Sequence, residues 1–161
     1  MAYLTSGMQG VDLTKTRTSA EGPEFRLGTT APGTDASEWM YVRALSTVAQ
    51  YDAVAINLSS NAVPVTTANI SVGQVGFAQT AIASTSYGWV ALQGNAISVT
   101  TSGTTTIGKR LYTGATAGIL SVTVVTIGAV HGILASTSIS AVVTATGIVA
   151  RNPHFGFGNA E

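Results

Sequence analysis

Residues 75–101 read VGFAQTAIASTSYGWVALQGNAISVTT, and this stretch decides the fold class. Its segments are short, rich in β-branched and aromatic residues, and interrupted by glycine and small polar residues, a pattern that is typical of strands. We predict strands over Val75–Ile82, Gly88–Gln93 and Ala96–Thr101. Gly94–Asn95 falls between two alternating runs, and because both residues tolerate positive φ we predict a tight hairpin turn there.

The same pattern extends to both sides of this stretch. Further strands are predicted at Glu38–Ala44, Ala53–Leu58, Arg110–Thr113, Ile119–Thr126, Gly132–Ser136 and Ala141–Ala150. Glycines at both ends of Gly114–Gly118 indicate a second, looser hairpin. Turn signals recur at the spacing of roughly 8–12 residues that sandwiches and barrels show. The sequence therefore predicts an all-β protein with a β-sandwich or jelly-roll-like body.

Charge is scarce and unevenly distributed. The chain has 161 residues, of which 9% are charged, and its net charge is zero, whereas ordinary soluble domains carry about 25% charged residues. Ten of the fourteen charged residues lie within residues 1–52, and none lies within residues 53–108. A nucleic-acid binder would present clustered Lys and Arg, and a membrane helix would need about 18 consecutive apolar residues. We therefore expect neither a nucleic-acid nor a membrane partner.

The two ends of the chain differ in composition from its middle. Residues 1–35 are polar and rich in Gly, Thr and Pro without a sustained period, which predicts an extended N-terminal arm. We place the body at residues 36–151 and a short C-terminal tail at residues 152–161. The first ten residues, MAYLTSGMQG, lack the features of a signal peptide, so we expect synthesis without Sec export.

Isolated hydrophobic and charged residues in the arm and tail are candidates for contact with a partner. They are Met8, Val11, Leu13, Lys15, Arg17, Phe25, Arg26, Leu27, Phe155 and Phe157. The hydrophobic side chains would fill pockets on a partner, and the charged ones would fix the register of the contact. The alternative for the arm is a disordered terminus without a role.

The strand Glu38–Ala44 carries large groups on both faces. Trp39, Tyr41 and Arg43 share one face, and Met40, Val42 and Ala44 share the other. A half-buried strand of a monomer alternates more strictly. Two apolar faces and little charge therefore predict a second surface buried against other subunits, and the alternative is an exposed face rich in Thr and Ser.

Residues that could form a catalytic site are few. The chain has no Cys and two His, His131 and His154, and neither has an Asp or Glu beside it in sequence. We therefore expect no enzymatic activity, no cofactor and no metal. Residues 103–109 match the first seven positions of a phosphate-binding loop, but Arg110 stands where Ser or Thr would hold magnesium and a strand follows. We interpret the segment as a glycine turn with a basic pair at a strand edge.

Two segments carry a family likeness. Residues 25–44, FRLGTTAPGTDASEWMYVRA, and residues 75–94, VGFAQTAIASTSYGWVALQG, together with AVAINL at residues 53–58, resemble small tailed-phage head proteins known as decoration, cement or capsid-stabilising proteins. The likeness spans residues 25–94 and consists of turn glycines and strand aromatics. Residues 95–161 match no pattern of this kind.

The resemblance implies a function. It implies a structural virion protein that binds the outer surface of a phage capsid, stabilises contacts between major capsid proteins and assembles in the host cytoplasm. It also implies self-association, with a homotrimer expected and a dimer as the alternative. The competing interpretation is a receptor- or glycan-binding module of a head fibre or tail spike, in which Tyr87, Trp89 and His131 would contact sugar.

Overall fold

The computed structural model describes residues 11–33, 36–69, 73–123, 127–138 and 144–157. Within these ranges the regular structure consists of ten β-strands, without helix, which confirms the all-β prediction. The strands are β1 (Thr30–Pro32), β2 (Glu38–Ala44), β3 (Ala53–Ile56), β4 (Asn61–Pro64), β5 (Gln74–Ala78), β6 (Tyr87–Ser102), β7 (Leu111–Thr113), β8 (Leu120–Ser121), β9 (Ile127–Ala135) and β10 (Thr144–Phe157). No helix of the described residues is long and apolar enough to span a membrane.

The predicted strands are present, with changes at their ends. β2 has the predicted bounds, and the hairpin at Gly114–Gly118 is confirmed because it joins the antiparallel pair β7 and β8. β1 and β4 were not predicted, since each is at most four residues long and contains Pro. Residues 124–126 and 141–143 of two predicted strands lie outside the described residues.

The hairpin predicted at Gly94–Asn95 is wrong. β6 runs through this point without turning, and Gly94 is paired with Ala150 of β10. A Cβ on Gly94 would lie 3.0 Å from the Cβ of Ser37, so the glycine permits close approach of a neighbouring segment. The first half of β6 is paired with β2 and the second half with β10, which is why one strand is continuous across both runs.

Five strands close into a first ring, which we call unit 1. β2 pairs in parallel with β4, and antiparallel pairs then link β4 to β3, β3 to β5, β5 to β6, and β6 back to β2. Each of the five strands contributes a buried side chain to one cluster inside the ring: Val42, Val54, Ala62, Ala78 and Val90. Unit 1 is therefore a small barrel filled by side chains.

A second ring, unit 2, repeats the topology of unit 1. The second half of β6 pairs in parallel with β8, and antiparallel pairs link β8 to β7, β7 to β9, β9 to β10, and β10 back to β6. The order and direction of the five pairings are the same in both units. The chain is thus an internal structural repeat in which β6 is the last strand of one unit and the first strand of the next.

Hydrogen bonds align the two units residue by residue. In unit 1 the N–H of Tyr51 donates to the O of Ala78 at 2.7 Å, and in unit 2 the N–H of Gly108 donates to the O of Ala135 at 2.9 Å. Tyr51 and Gly108 both have positive φ, 69° and 79°. The two residues therefore occupy the same left-handed turn, where Gly is favoured and Tyr is strained.

The interior of unit 2 is more polar than that of unit 1. Three apolar residues of unit 1 (Ala44, Val48 and Ile56) correspond to three threonines of unit 2 (Thr101, Thr105 and Thr113), and all six are buried. The hydroxyls of Thr101 and Thr105 lie 3.2 Å apart and share a hydrogen bond. Thr113 Oγ1 has no hydrogen-bond partner among the described residues. Unit 2 therefore buries hydroxyl groups that unit 1 lacks.

Short loops join the two units apart from β6. The N–H of Gly118 donates to the O of Val65 at 2.9 Å, and the N–H of Ala53 donates to the O of Gly118 at 2.8 Å. A Cβ on Gly118 would collide with the carboxylate of Asp52. The side-chain amide of Gln79 pairs with the backbone of Ser98 at 2.8 and 3.1 Å. The Gly118 contacts attach the β7–β8 hairpin of unit 2 to unit 1, and the Gln79 contacts attach the segment after β5 to the second half of β6.

Both faces of β2 are buried, as its two-sided pattern predicted, but the cover comes from the same chain. Trp39 and Tyr41 lie in one apolar cluster, and Val42 and Ala44 lie in the other. The second cluster is the interior of unit 1. Burial against other subunits is therefore not needed to explain this strand.

Candidate interaction surface

Residues 11–33, which we call the strap, do not project as an extended arm but lie against unit 1. Val11 and Leu13 are buried, and Leu13 is only 1% exposed. Phe25 and Leu27 are half-buried and pack against the same cluster. These four predicted partner contacts are thus engaged within the chain, because the outer face of unit 1 offers a large apolar surface nearby.

Backbone pairing fixes the strap along β2 and β6. Arg17 and Tyr87 exchange two hydrogen bonds of 2.9 and 2.8 Å as an isolated β-bridge. The N–H of Gly28 donates to the O of Tyr41 at 2.9 Å, and β1 then pairs antiparallel with β2. The strap is therefore an ordered part of the fold.

An aromatic cluster lies beneath the strap. The ring of Phe25 lies 5.4 Å from Tyr41 and 5.3 Å from Trp89, and Tyr41 lies 5.1 Å from Trp89. Tyr87 stacks on Tyr41 at 6.4 Å. Trp89 is 2% exposed, so its ring cannot serve as a stacking platform for sugar in this conformation. The burial of Trp89 agrees with a packing role, which a chain with few aromatic residues favours over a role in sugar stacking.

The strap also orders its own charged groups. Glu24 Oε2 lies 3.2 Å from Lys15 Nζ and 3.7 Å from an Arg17 Nη. Hydrogen bonds from the Thr14 hydroxyl and amide lower the pKa of Asp12 below its usual range. Bonds from the amide and hydroxyl of residue 18 lower the pKa of Glu21 in the same way. Most strap charges therefore stabilise local turns and one ion-pair cluster.

The remaining predicted contact residues have different positions. Arg26 is exposed and makes no ion pair with any residue that the structure describes. Phe155 and Phe157 belong to β10, opposite Val130 and Ile127 of β9, and their side chains are outside the described part. Met8 also lies outside the described residues. Of the ten candidates, Arg26 and Lys15 are the most accessible described ones.

Strand pairing brings the two histidines together. His131 of β9 is directly opposite His154 of β10, and their rings stack with centroids 5.5 Å apart. Within the described ranges, no group of three or more His, Cys, Asp or Glu side chains is arranged to hold a metal ion. The sequence does not predict that His131 and His154 are paired, because residues 152–161 have the composition of a tail, whereas His154 belongs to β10.

Comparison with known proteins gives one structural match to report. No family model matches the sequence, and no curated protein matches it. The crystal structure of the head fiber gp8.5 N base in bacteriophage phi29 is similar to this chain with a TM-score of 0.46 and 14% identity, over 72% of this chain and 95% of that one. At this TM-score we draw no conclusion from the match.

Proposed function

We propose that this protein is a structural virion component that binds the outer surface of a tailed-phage capsid and stabilises contacts between major capsid proteins. The observation that carries the proposal is that the two motif segments are adjacent in the fold. The motif segments that resemble capsid-stabilising proteins, residues 25–44 and 75–94, meet in the fold as the strap, β2 and the first half of β6. Several aromatic and glycine residues of the two segments therefore serve one structural purpose.

That purpose is to fasten the strap. Phe25 of the first segment packs between Tyr41 and Trp89, which belong to different segments. Gly28 has φ of 82° and donates to the backbone of Tyr41. A Cβ on Gly88 would lie 2.8 Å from Cδ1 of Ile82 and 3.3 Å from Cγ2 of Thr16 in the strap, so the glycine allows both side chains to lie close to β6. The residues that carry the resemblance thus pack together and hold the strap against β2 and β6.

The mechanism we propose is binding without chemistry. A rigid all-β body with few charges suits a large contact area, because the cores of protein interfaces are depleted in charge. Many copies on one shell would hold each junction between capsid proteins through several contacts at once. Neither a catalytic residue nor a cofactor is part of this proposal.

Self-association is a separate part of the proposal. A homotrimer is expected and a dimer is the alternative, on the strength of the resemblance alone. Light scattering on the purified protein tests it, since a stable monomer at micromolar concentration contradicts both states.

Capsid binding is tested with DNA-free, expanded capsids that lack the protein. Purified protein is titrated onto the capsids, and bound protein is measured after sedimentation. We expect saturable binding at a fixed ratio to the capsid protein and a higher temperature of capsid disassembly. Absence of saturable binding would refute the proposal, and a glycan-array signal without capsid binding would favour the receptor module.

A further inference from the structure

A compact exposed patch lies at one end of unit 2. It contains two apolar side chains, Ile107 and Leu134, which are 65% and 47% exposed, and two exposed cations, Lys109 and Arg110. Hydrogen bonds link the two segments, because the N–H of Ala135 donates to the O of Lys109 at 3.2 Å and the N–H of Gly108 donates back to Ala135. We call these four residues the basic end patch.

The loop that carries the patch has a defined conformation. Gly108 has φ of 79°, and the N–H of Lys109 donates to the O of Thr106 at 3.1 Å, which closes a turn. The N–H of Ile107 donates to the Ser138 hydroxyl at 3.0 Å. A surface whose backbone is already ordered loses less entropy when it binds.

The internal repeat provides a comparison, because in unit 1 the side chains at the equivalent positions are engaged within the fold. In unit 1 the equivalent positions are Gln50, Asp52 and Phe77. The Gln50 amide donates to the O of Gln79 at 3.0 Å, Asp52 accepts from the Ala49 amide at 2.8 Å, and Phe77 is 0% exposed. Each side chain is thus engaged within the fold.

Unit 2 replaces these engaged residues with free ones. Gln50 corresponds to Ile107, Asp52 to Lys109, and Phe77 to Leu134. From residue 53 to residue 160 the sequence contains no Asp or Glu, so unit 2 has no acid of its own to neutralise the cations. Neither Lys109 nor Arg110 makes an ion pair with a described residue. The side chains of this loop are engaged within the fold in unit 1 and are exposed to a partner in unit 2.

We propose that the basic end patch docks onto a carboxylate-bearing protein surface, and that under the proposed function, on which this step rests, that surface belongs to the capsid shell. Arginine is enriched among the hot spots of protein interfaces, and its guanidinium matches the geometry of a carboxylate. Binding to nucleic acid depends on many phosphate contacts, whereas this patch offers two cations flanked by Ile107 and Leu134. The chemistry therefore favours an acidic protein.

The first experiment compares variants in the capsid sedimentation assay. K109Q/R110Q removes two positive charges from the patch, and S59E/T67E, at two exposed positions of unit 1, changes the net charge by the same amount as a control. We expect the patch variant to weaken capsid binding at least tenfold and S59E/T67E to change it less than twofold. Equal affinities for the patch variant and the wild type would overturn the proposal.

A second pair of variants tests the apolar component. L134S is compared with L58S, since Leu58 is fully exposed in unit 1. We expect L134S to weaken capsid binding several-fold and L58S to leave it unchanged. All substituted positions are at the surface, and circular dichroism melting verifies that each variant folds. Equal binding by L134S and L58S would refute an apolar contribution.

A third experiment separates the patch from the capsid. Retention on poly-L-glutamate agarose is measured at low salt for the wild type and K109Q/R110Q, with immobilised duplex DNA as the comparison. Retention on polyglutamate that is lost in the variant supports the patch even if capsid binding fails, in which case only the proposed function is refuted. Stronger retention on DNA, or none on polyglutamate, would overturn the proposed partner chemistry.

Discussion

Truncation of Leu13 to alanine tests whether the strap is part of the folding unit. Leu13 is 1% exposed and lies in the same apolar cluster as Trp39, Tyr41 and Trp89. Burying a leucine side chain contributes roughly 1.5–3 kcal/mol, and the cavity left by truncation adds to the loss, so that Leu→Ala substitutions in cores cost roughly 2–5 kcal/mol. We expect a decrease of about 3 kcal/mol in the free energy of unfolding.

The assay is equilibrium unfolding in urea, followed by tryptophan fluorescence. With a slope of roughly 2 kcal/mol per molar urea, the midpoint should fall by about 1.5 M while the slope is unchanged. Thr16→Ala is the control, because Thr16 is an exposed strap residue. Its midpoint should move by less than about 0.3 M, since surface substitutions usually change stability by at most 0.5 kcal/mol.

The result that refutes the reasoning is a midpoint for Leu13→Ala equal to that of the control. Such a result would mean that the strap detaches at little cost and that the body folds without it. Amide hydrogen exchange at Arg17 and Tyr87 gives an independent reading, since these residues exchange the two hydrogen bonds of the bridge. Protection of both amides equal to that of β6 is expected if the strap unfolds only with the body.

Three further predictions concern the units and their junction. Gly118→Ala should lower the free energy of unfolding, measured by thermal melting, by roughly 2–3 kcal/mol, because φ of Gly118 is 79° and the added Cβ meets the Asp52 carboxylate. An unchanged melting temperature would contradict the close contact between Gly118 and Asp52. Thr113→Val should raise the free energy of unfolding by about 1 kcal/mol, since it removes a buried hydroxyl without a described partner, and a loss of stability would indicate that the hydroxyl is satisfied. Burial raises the pKa of Asp52 above its ordinary value of 3.8, against a smaller lowering by the Ala49 amide, so the folded state holds this proton more tightly and stability falls as the pH rises above 3.8 towards the folded pKa. The stability of Asp52→Asn relative to the wild type, measured in urea titrations, should therefore increase from pH 4 to pH 7. A stability difference that does not change with pH would show that folding does not raise the pKa of Asp52.

The sequence predicted the strands better than their arrangement. β2 could be located to the residue because its side chains alternate between two faces, both of which are buried. The internal repeat could not be found, since equivalent core positions share burial and not identity: Ala44 corresponds to Thr101, and Val48 corresponds to Thr105. A glycine between two strand-like runs is an ambiguous signal, because it can mark either a turn or a close approach. Gly94 allows Ser37 to approach, whereas Gly114 and Gly118 belong to a hairpin.

The candidate contacts were harder to predict than the fold. Hydrophobic residues of the strap show no period because each fills a separate gap on the outer face of unit 1. Their sequence pattern is the same for an arm that binds a neighbour and for a segment that packs on its own body. The basic pair at Lys109 and Arg110 was recognised only as a strand edge, because its exposure beside Leu134 depends on pairing between distant segments.

The shared strand β6 has a consequence for the order of folding during synthesis. Unit 1 can close as soon as residues 87–92 have left the ribosome, since every other strand of that ring precedes them. Residues 97–102 continue the same strand and emerge next, before β8 and β10, their partners, have been made. An extended segment with unpaired edges is prone to join another chain. The element that unites the finished protein is thus also the one that a nascent chain leaves unpaired.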